Sequence, residues 1–276
     1  MTAQWDTVTI VGVGLIGGSA GLALAKRGAA KKIIGVGRSD SSLEAAKELG
    51  AISEGTTNIR EGVADADFVL VATRVSVIGN QLEEIDTCVR PGTPITDAGS
   101  TKQSIVDRWE QSRSSRKGRF VGSHPLAGSH KRGPQAADPA LFEDKLTVLT
   151  PVESTPQSDT QSISAFWQLI GAQVCHLSPS EHDRLLASAS HAPHIVAAAL
   201  AAATPREAHR FTAGGWRDTT RIAAGDPDLW ADILLDNAKA VTAQIENFSQ
   251  VSDQLQHAIE EGDRPARVQG RHAEAG

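Results

Sequence analysis

A chain of 276 residues with 40% hydrophobic side chains is long enough for one large domain or two ordinary ones and carries enough apolar surface for a core. Its net charge of −6, with Lys and Arg scattered rather than clustered, excludes a basic face for nucleic acid or an anionic membrane surface and leaves a few local arginines for a small anionic ligand. Cys88 and Cys175 lack CxxC spacing, MTAQWDTVTI has no charged leader followed by an apolar stretch, and no run reaches the roughly 18 apolar residues of a membrane span, so a cytoplasmic location is expected.

From Thr7 to about Leu177, short β-rich runs alternate with helical patterns: TVTIVGV, LIGGSAGLALAKRG, KIIGVG and SLEAAKELG, then DFVLVAT, PITDAG, RFVGSH, LTVLT and AQVCHL. That alternation predicts βαβ units and a mostly parallel sheet. In the first strand-to-helix turn, Gly12, Gly14 and Gly17 have GxGxxG spacing. Gly12 permits the tight turn, Gly14 lets backbone approach a pyrophosphate, and Gly17 lets helix and strand pack closely. The helix N-terminus, with Leu15 and Ile16, faces the negative charge. The expected fold is therefore an α/β Rossmann-type N-terminal domain over residues 1–178.

The second strand ends in Gly37, Arg38 and Ser39, where an NAD-preferring site holds Asp or Glu against the ribose. A guanidinium beside a hydroxyl suits a 2′-phosphate, so NADP is favoured; with Arg38 stacked on adenine and Asp40 on the ribose, NAD is the alternative. From Ser180 the pattern is helical only, and an Ala-rich helix apolar nearly all round predicts burial against a second copy. Residues 179–262 are thus expected to form an all-α dimerisation domain, to which the resemblance given below adds a substrate role. The polar tail over 263–276 is read as disordered.

Three further segments carry candidate chemistry: TDAGSTKQSI with Ser100, FVGSHPLAGS with His124, and ASASHAPHIVAAA with His191 and His194. Ser100 and His124 stand at strand ends, where ligands of open α/β sheets bind. No carboxylate or thiolate at useful spacing joins the histidines, so no metal is expected. Ser100 also fits as a helix cap, and Arg217 as the partner of Asp218 or Asp226.

Taken with GGWRDTTRIAAGDPDLWADILLDN, these segments resemble the prephenate and arogenate dehydrogenase family of tyrosine biosynthesis, through GVGLIGGS, DAGSTK, GSHPLAGS and SHAPH followed by WRDTTRIA, from about Val8 to Phe248. The resemblance implies oxidative decarboxylation: hydride leaves C4 of a cyclohexadienol for the nicotinamide, carbon dioxide departs, and the ring aromatises. It assigns His124 as acceptor of the C4 hydroxyl proton, Ser100 as the group that fixes that hydroxyl and orients His124, and Arg221 as partner of a substrate carboxylate. His191 and His194 would face the substrate from the helical domain, with His194 favoured as the catalytic one and Arg217 as a further contact. Chemistry between the domains and a homodimer through the helical one follow.

The irregular segment SHPLAGSHKRGPQAADPALF, residues 123–142, resembles the family loop along the cleft and is expected to cover substrate, with Ser129 or Lys131 near its carboxylates. In VATRVSV, Arg74 stands where the family usually has Pro against the nicotinamide half, so the turn bearing Thr73 and Val75 is expected to be less rigid. No chorismate mutase segment is expected before the first strand and no regulatory module after the last helix. Alternatives are arogenate as substrate, with Asp183 as a contact to its ammonium, a hydroxyacid or imine reductase, and a cofactor-binding regulator without chemistry.

Overall fold

The structure is a computed structural model that describes residues 3–111, 116–129 and 131–262; the tail read as disordered lies outside them. In chain order its first elements are β1 (Trp5–Val11), α1 (Leu15–Arg27), β2 (Ala30–Val36), α2 (Asp40–Glu48), β3 (Glu54–Thr56), α3 (Ile59–Val63), β4 (Phe68–Val71) and α4 (Val75–Cys88). There follow β5 (Pro94–Asp97), α5 (Gln103–Gln111), β6 (Arg119–Pro125), β7 (Leu146–Thr150), α6 (Gln157–Leu169) and β8 (Gln173–His176). The strands form one sheet in the order β3-β2-β1-β4-β5-β6-β7-β8, parallel except where β7 runs against β6. The expected mostly parallel sheet is present.

Strand β4 shows why these runs become strands buried on both faces. Phe68 and Leu70 join the core of Trp5, Leu24, Phe166 and Trp167, whereas Val69 and Val71 join that of Ile78, Leu82, Ile95 and Trp109. Alternate side chains leave a strand on opposite sides, so a continuous apolar run covered by helices feeds two cores. Helix α1 comes close to the connection between α2 and β3 because Gly21 has no Cβ, which would lie 2.1 Å from the Ala51 carbonyl oxygen.

The remaining elements are helical, as expected: α7 (Pro179–Leu186), a π-helical turn (Ala187–His191), α8 (Ala192–Ala203), α9 (Gly214–Thr220), α10 (Pro227–Asp236) and α11 (Ala238–Glu260). The compact units divide the chain differently from a boundary at 178. Unit one runs to Leu185 and takes back Ala224–Asp236, hence α7 and α10; unit two has Leu186–Ala223 and the chain from Asn237. Helix α10 joins the first unit through polar bonds: Asp236 accepts from Thr101 and Ser104, and Asp232 from Ser76.

One expectation is corrected. The helical stretch Pro179–Ala203 contains an 18-residue window of mean hydropathy 1.4 and is, by length and composition, long and apolar enough to cross a bilayer. A third of that window is buried within the chain, and core helices of water-soluble folds share this composition.

Candidate active site

The β1–α1 turn forms a cradle. Gly12 sits at φ +95°, and a Cβ there would lie 2.6 Å from the Ala72 carbonyl oxygen; one on Gly17 would lie 1.9 Å from the Gly12 carbonyl oxygen. A Cβ on Gly14 would meet nothing within 4 Å, so the side from which a pyrophosphate approaches is open. Helix α1 has no side-chain cap and no acid in its first turn, leaving the N–H groups at Leu15 and Ile16 to an anion. The residues present fit a dinucleotide.

At the ribose end no carboxylate terminates β2. Arg38 and Ser39 are exposed, and the Ser39 hydroxyl caps α2 and lies 3.3 Å from Ser41 and 3.0 Å from Ser42. Thr73 stands beside Gly12 and bonds Gln81. Arg74 carries φ −66°, the angle proline would impose, and its guanidinium lies 3.8–3.9 Å from Asp226, Asp228 and Asp232. The expected slackness of this turn is therefore countered by three ion pairs to the α10 segment.

The DAGSTK turn is stapled from within. Lys102 and Asp97, both wholly buried, form an ion pair, while Asp97 also accepts from the N–H groups of Gly99 and Ser123, each at 2.9 Å. Ser100 is thus carried on a turn closed by its own flanking charges, one residue type the strand pattern alone would not place indoors.

His124, half-buried at the carboxyl end of β6, has its Nδ1 2.9 Å from His182 Nε2, and the two rings meet edge to face. Its Nδ1 partner is therefore a second imidazole. His182 is fully buried, and its Nδ1 lies 2.8 Å from Asp183 Oδ1. Asp183 in turn accepts the Lys102 and Gln103 N–H groups at 2.8 and 2.9 Å and so caps α5. Burial alone would raise this carboxyl; the bonds from His182, Gln103 and Lys102 outweigh it and hold the group below its ordinary 3.8. Sequence reasoning missed His182; the adjacent His-Asp of SEHDR was the signal available.

Residues after His124 pack in part on the first helix. Pro134 is buried, the Asp138 N–H donates to the Ser19 hydroxyl at 2.9 Å, and Phe142 lies in the core, so the second half of the loop packs on α1. Gly18 allows this, since a Cβ there would come to 3.0 Å of Ala137. Ser129 and Lys131 are exposed, and Arg132 pairs with Asp226 at 2.8 Å.

In the second unit, His191 lies buried on the π-helical turn with its Nδ1 3.2 Å from the buried Asn237 amide nitrogen. His194 is buried on α8, and burial pushes its imidazole below the ordinary 6.5, toward the neutral form. Arg217 and Arg221 are exposed, and among the described residues neither has a carboxylate within 4.0 Å. Both lowered values have one sign: Asp183 contributes stability above its ordinary 3.8 that is lost as pH falls through its lower folded value, and His194 contributes stability above 6.5 that is lost below it.

Sheet order 3-2-1-4-5-6 with this cradle defines the class: a nicotinamide-nucleotide-dependent oxidoreductase. Within that class the sequence matches the prephenate dehydrogenase nucleotide-binding domain over residues 20–176 and the prephenate dehydrogenase dimerization domain over 178–270. The chain belongs to the prephenate dehydrogenase family. It is 38% identical to the prephenate dehydrogenase of Bacillus subtilis over 95% of its own length and 72% of that protein's. The prephenate dehydrogenase of A. aeolicus, solved with hydroxyphenyl propionate and NAD+, superposes with a TM-score of 0.85 at 33% identity, covering 93% of this chain and 91% of the other. Synechocystis arogenate dehydrogenase superposes at 0.80 with 29% identity, covering 95% of each chain.

Proposed function

We propose that this chain converts prephenate to 4-hydroxyphenylpyruvate and carbon dioxide, with NADP favoured over NAD as hydride acceptor. The observation that carries the reading is His124, backed by a buried His-Asp pair, at the carboxyl edge of the strands that also carry the glycine cradle. When bound, the oxidised nicotinamide supplies the hydride acceptor. His124 takes the C4 hydroxyl proton as hydride leaves C4; the bond from the ring to its carboxylate breaks, its electrons aromatise the ring, and the phenolate oxygen recovers the proton. Ser100 holds the hydroxyl. Arg221, His191, His194 and Ser129 are proposed substrate contacts from the family resemblance, and exposed Arg217 is proposed as a further one.

Prephenate is preferred to arogenate because Asp183, the acid available for an ammonium group, is buried and fully engaged against α5 and His182. For NADP the support is exposed Arg38, next in sequence to Ser39, whose hydroxyl clusters with those of Ser41 and Ser42. Both choices are tested by crossing prephenate and arogenate against NAD and NADP and following the reduced nicotinamide. Prephenate with NADP turns over best, and Arg38→Ala raises KM for NADP by about tenfold or more while leaving that for NAD unchanged. Faster turnover of arogenate overturns the substrate choice, and an equal effect of Arg38→Ala on both nucleotides overturns the cofactor choice.

We also propose a cytoplasmic homodimer. Cys88 and Cys175 are unpaired, as in a reducing compartment, and Phe211, Phe248, Val251 and Ile259 of the second unit are exposed apolar surface. Light scattering returns a mass near twice 29.1 kDa; a mass near 29.1 kDa removes the dimer.

A further inference from the structure

We propose that His182 and Asp183 are positioning residues that lock His124 in the tautomer whose Nε2 holds the lone pair for the substrate proton. The role deepens the reading above and rests on it, since it needs His124 as the base.

The assignment follows from which groups can only donate. Backbone N–H groups of Lys102 and Gln103 point at Asp183 Oδ1 and Oδ2, so the carboxylate is the acceptor on both oxygens. His182 Nδ1, 2.8 Å from the same Oδ1, must then carry the proton of that contact. A neutral imidazole with hydrogen on Nδ1 has its lone pair on Nε2. His182 Nε2 lies 2.9 Å from His124 Nδ1, which must therefore be the donor, and the remaining lone pair of the His124 ring falls on Nε2. Each link is buried or half-buried, so water does not readily substitute for a missing partner. The chain also ties the base to the DAGSTK turn, because the two capped N–H groups start α5 directly after Thr101.

The geometry gives the two residues different requirements. Position 182 needs a donor toward Asp183 and an acceptor toward His124, which a glutamine amide also provides through its nitrogen and oxygen. Position 183 needs an acceptor that tolerates three donors. Asparagine brings an NH2 group of its own and so conflicts with at least one of them.

The test uses the full chain. Nitrogen-15 NMR of the imidazoles, with the His124 signals assigned by their loss in His124→Gln, shows His124 as the Nδ1–H tautomer in the wild-type protein without substrate. In Asp183→Asn the Nε2–H form of His124 gains population. Steady-state kinetics with prephenate show kcat lowered by at least about tenfold in Asp183→Asn and in His182→Leu, with KM nearly unchanged, and largely restored in His182→Gln. An Nε2–H tautomer of His124 in the wild type overturns the proposal. So does a His182→Gln variant no better than His182→Leu when circular dichroism shows both folded. If the wild-type protein does not oxidise prephenate, the function proposed above falls while the NMR result still decides the tautomer.

Discussion

His124→Gln lowers kcat with prephenate by about a hundred- to ten-thousandfold, the usual share of a positioned general base, and leaves KM for substrate and nucleotide within a few-fold. The side chain can be replaced without loss of the strand, because β6 is held by backbone pairing: His124 registers with Val148 of β7, and Pro94, Ile95 and Thr96 of β5 register with Arg119, Phe120 and Val121. Glutamine keeps a hydrogen-bonding group toward His182 but cannot take a proton at neutral pH, so the loss falls on the chemical step rather than on binding. Circular dichroism and nucleotide titration of the variant accompany the rate measurement. A folded variant that binds nucleotide normally and turns over within about tenfold of the wild type removes His124 from the base role.

Lys102→Met is the second large effect, and it acts on stability. Both members of the Lys102–Asp97 pair are at 0% exposure, so removal of the ammonium leaves a carboxylate in the core with only the Gly99 and Ser123 N–H groups for company. Stranding one half of a buried pair costs about 3–5 kcal/mol, which for a domain of this size lowers the melting temperature by roughly 6–20 °C. Because the Ser123 N–H is held by Asp97, and its hydroxyl accepts the Trp167 indole N–H at 2.9 Å, the disturbance reaches the residue next to His124 and activity falls as well. The double variant Asp97→Asn with Lys102→Met recovers part of the lost stability, since the charge is then gone and an acceptor remains. Melting of Lys102→Met within about 2 °C of the wild type would contradict the buried-charge account.

What the sequence by itself determined is what local rules control. Alternation of apolar runs with helical periods determined the parallel sheet, and the spacing of Gly12, Gly14 and Gly17 determined the cradle, because Gly12 and Gly17 answer steric demands within a few residues of themselves or across one neighbouring strand while Gly14 leaves the approach open. Motif spacing likewise singled out Ser100 and His124. Only the tertiary structure decided the partner of His124. His182 stands 58 residues from His124 and Asp183 stands 81 from Lys102, separations at which no periodicity carries information. The same holds for Arg74, whose departure from proline reads as slack until the α10 aspartates are seen around it, and for α10 itself, which has a helical sequence like its neighbours yet packs with the first unit. Packing and hydrogen bonding between distant segments are collective properties of the folded chain. Asp183 looked like a group for binding an ammonium ion; two backbone N–H groups and one imidazole, brought to it by folding, make it the anchor of a helix and a histidine instead.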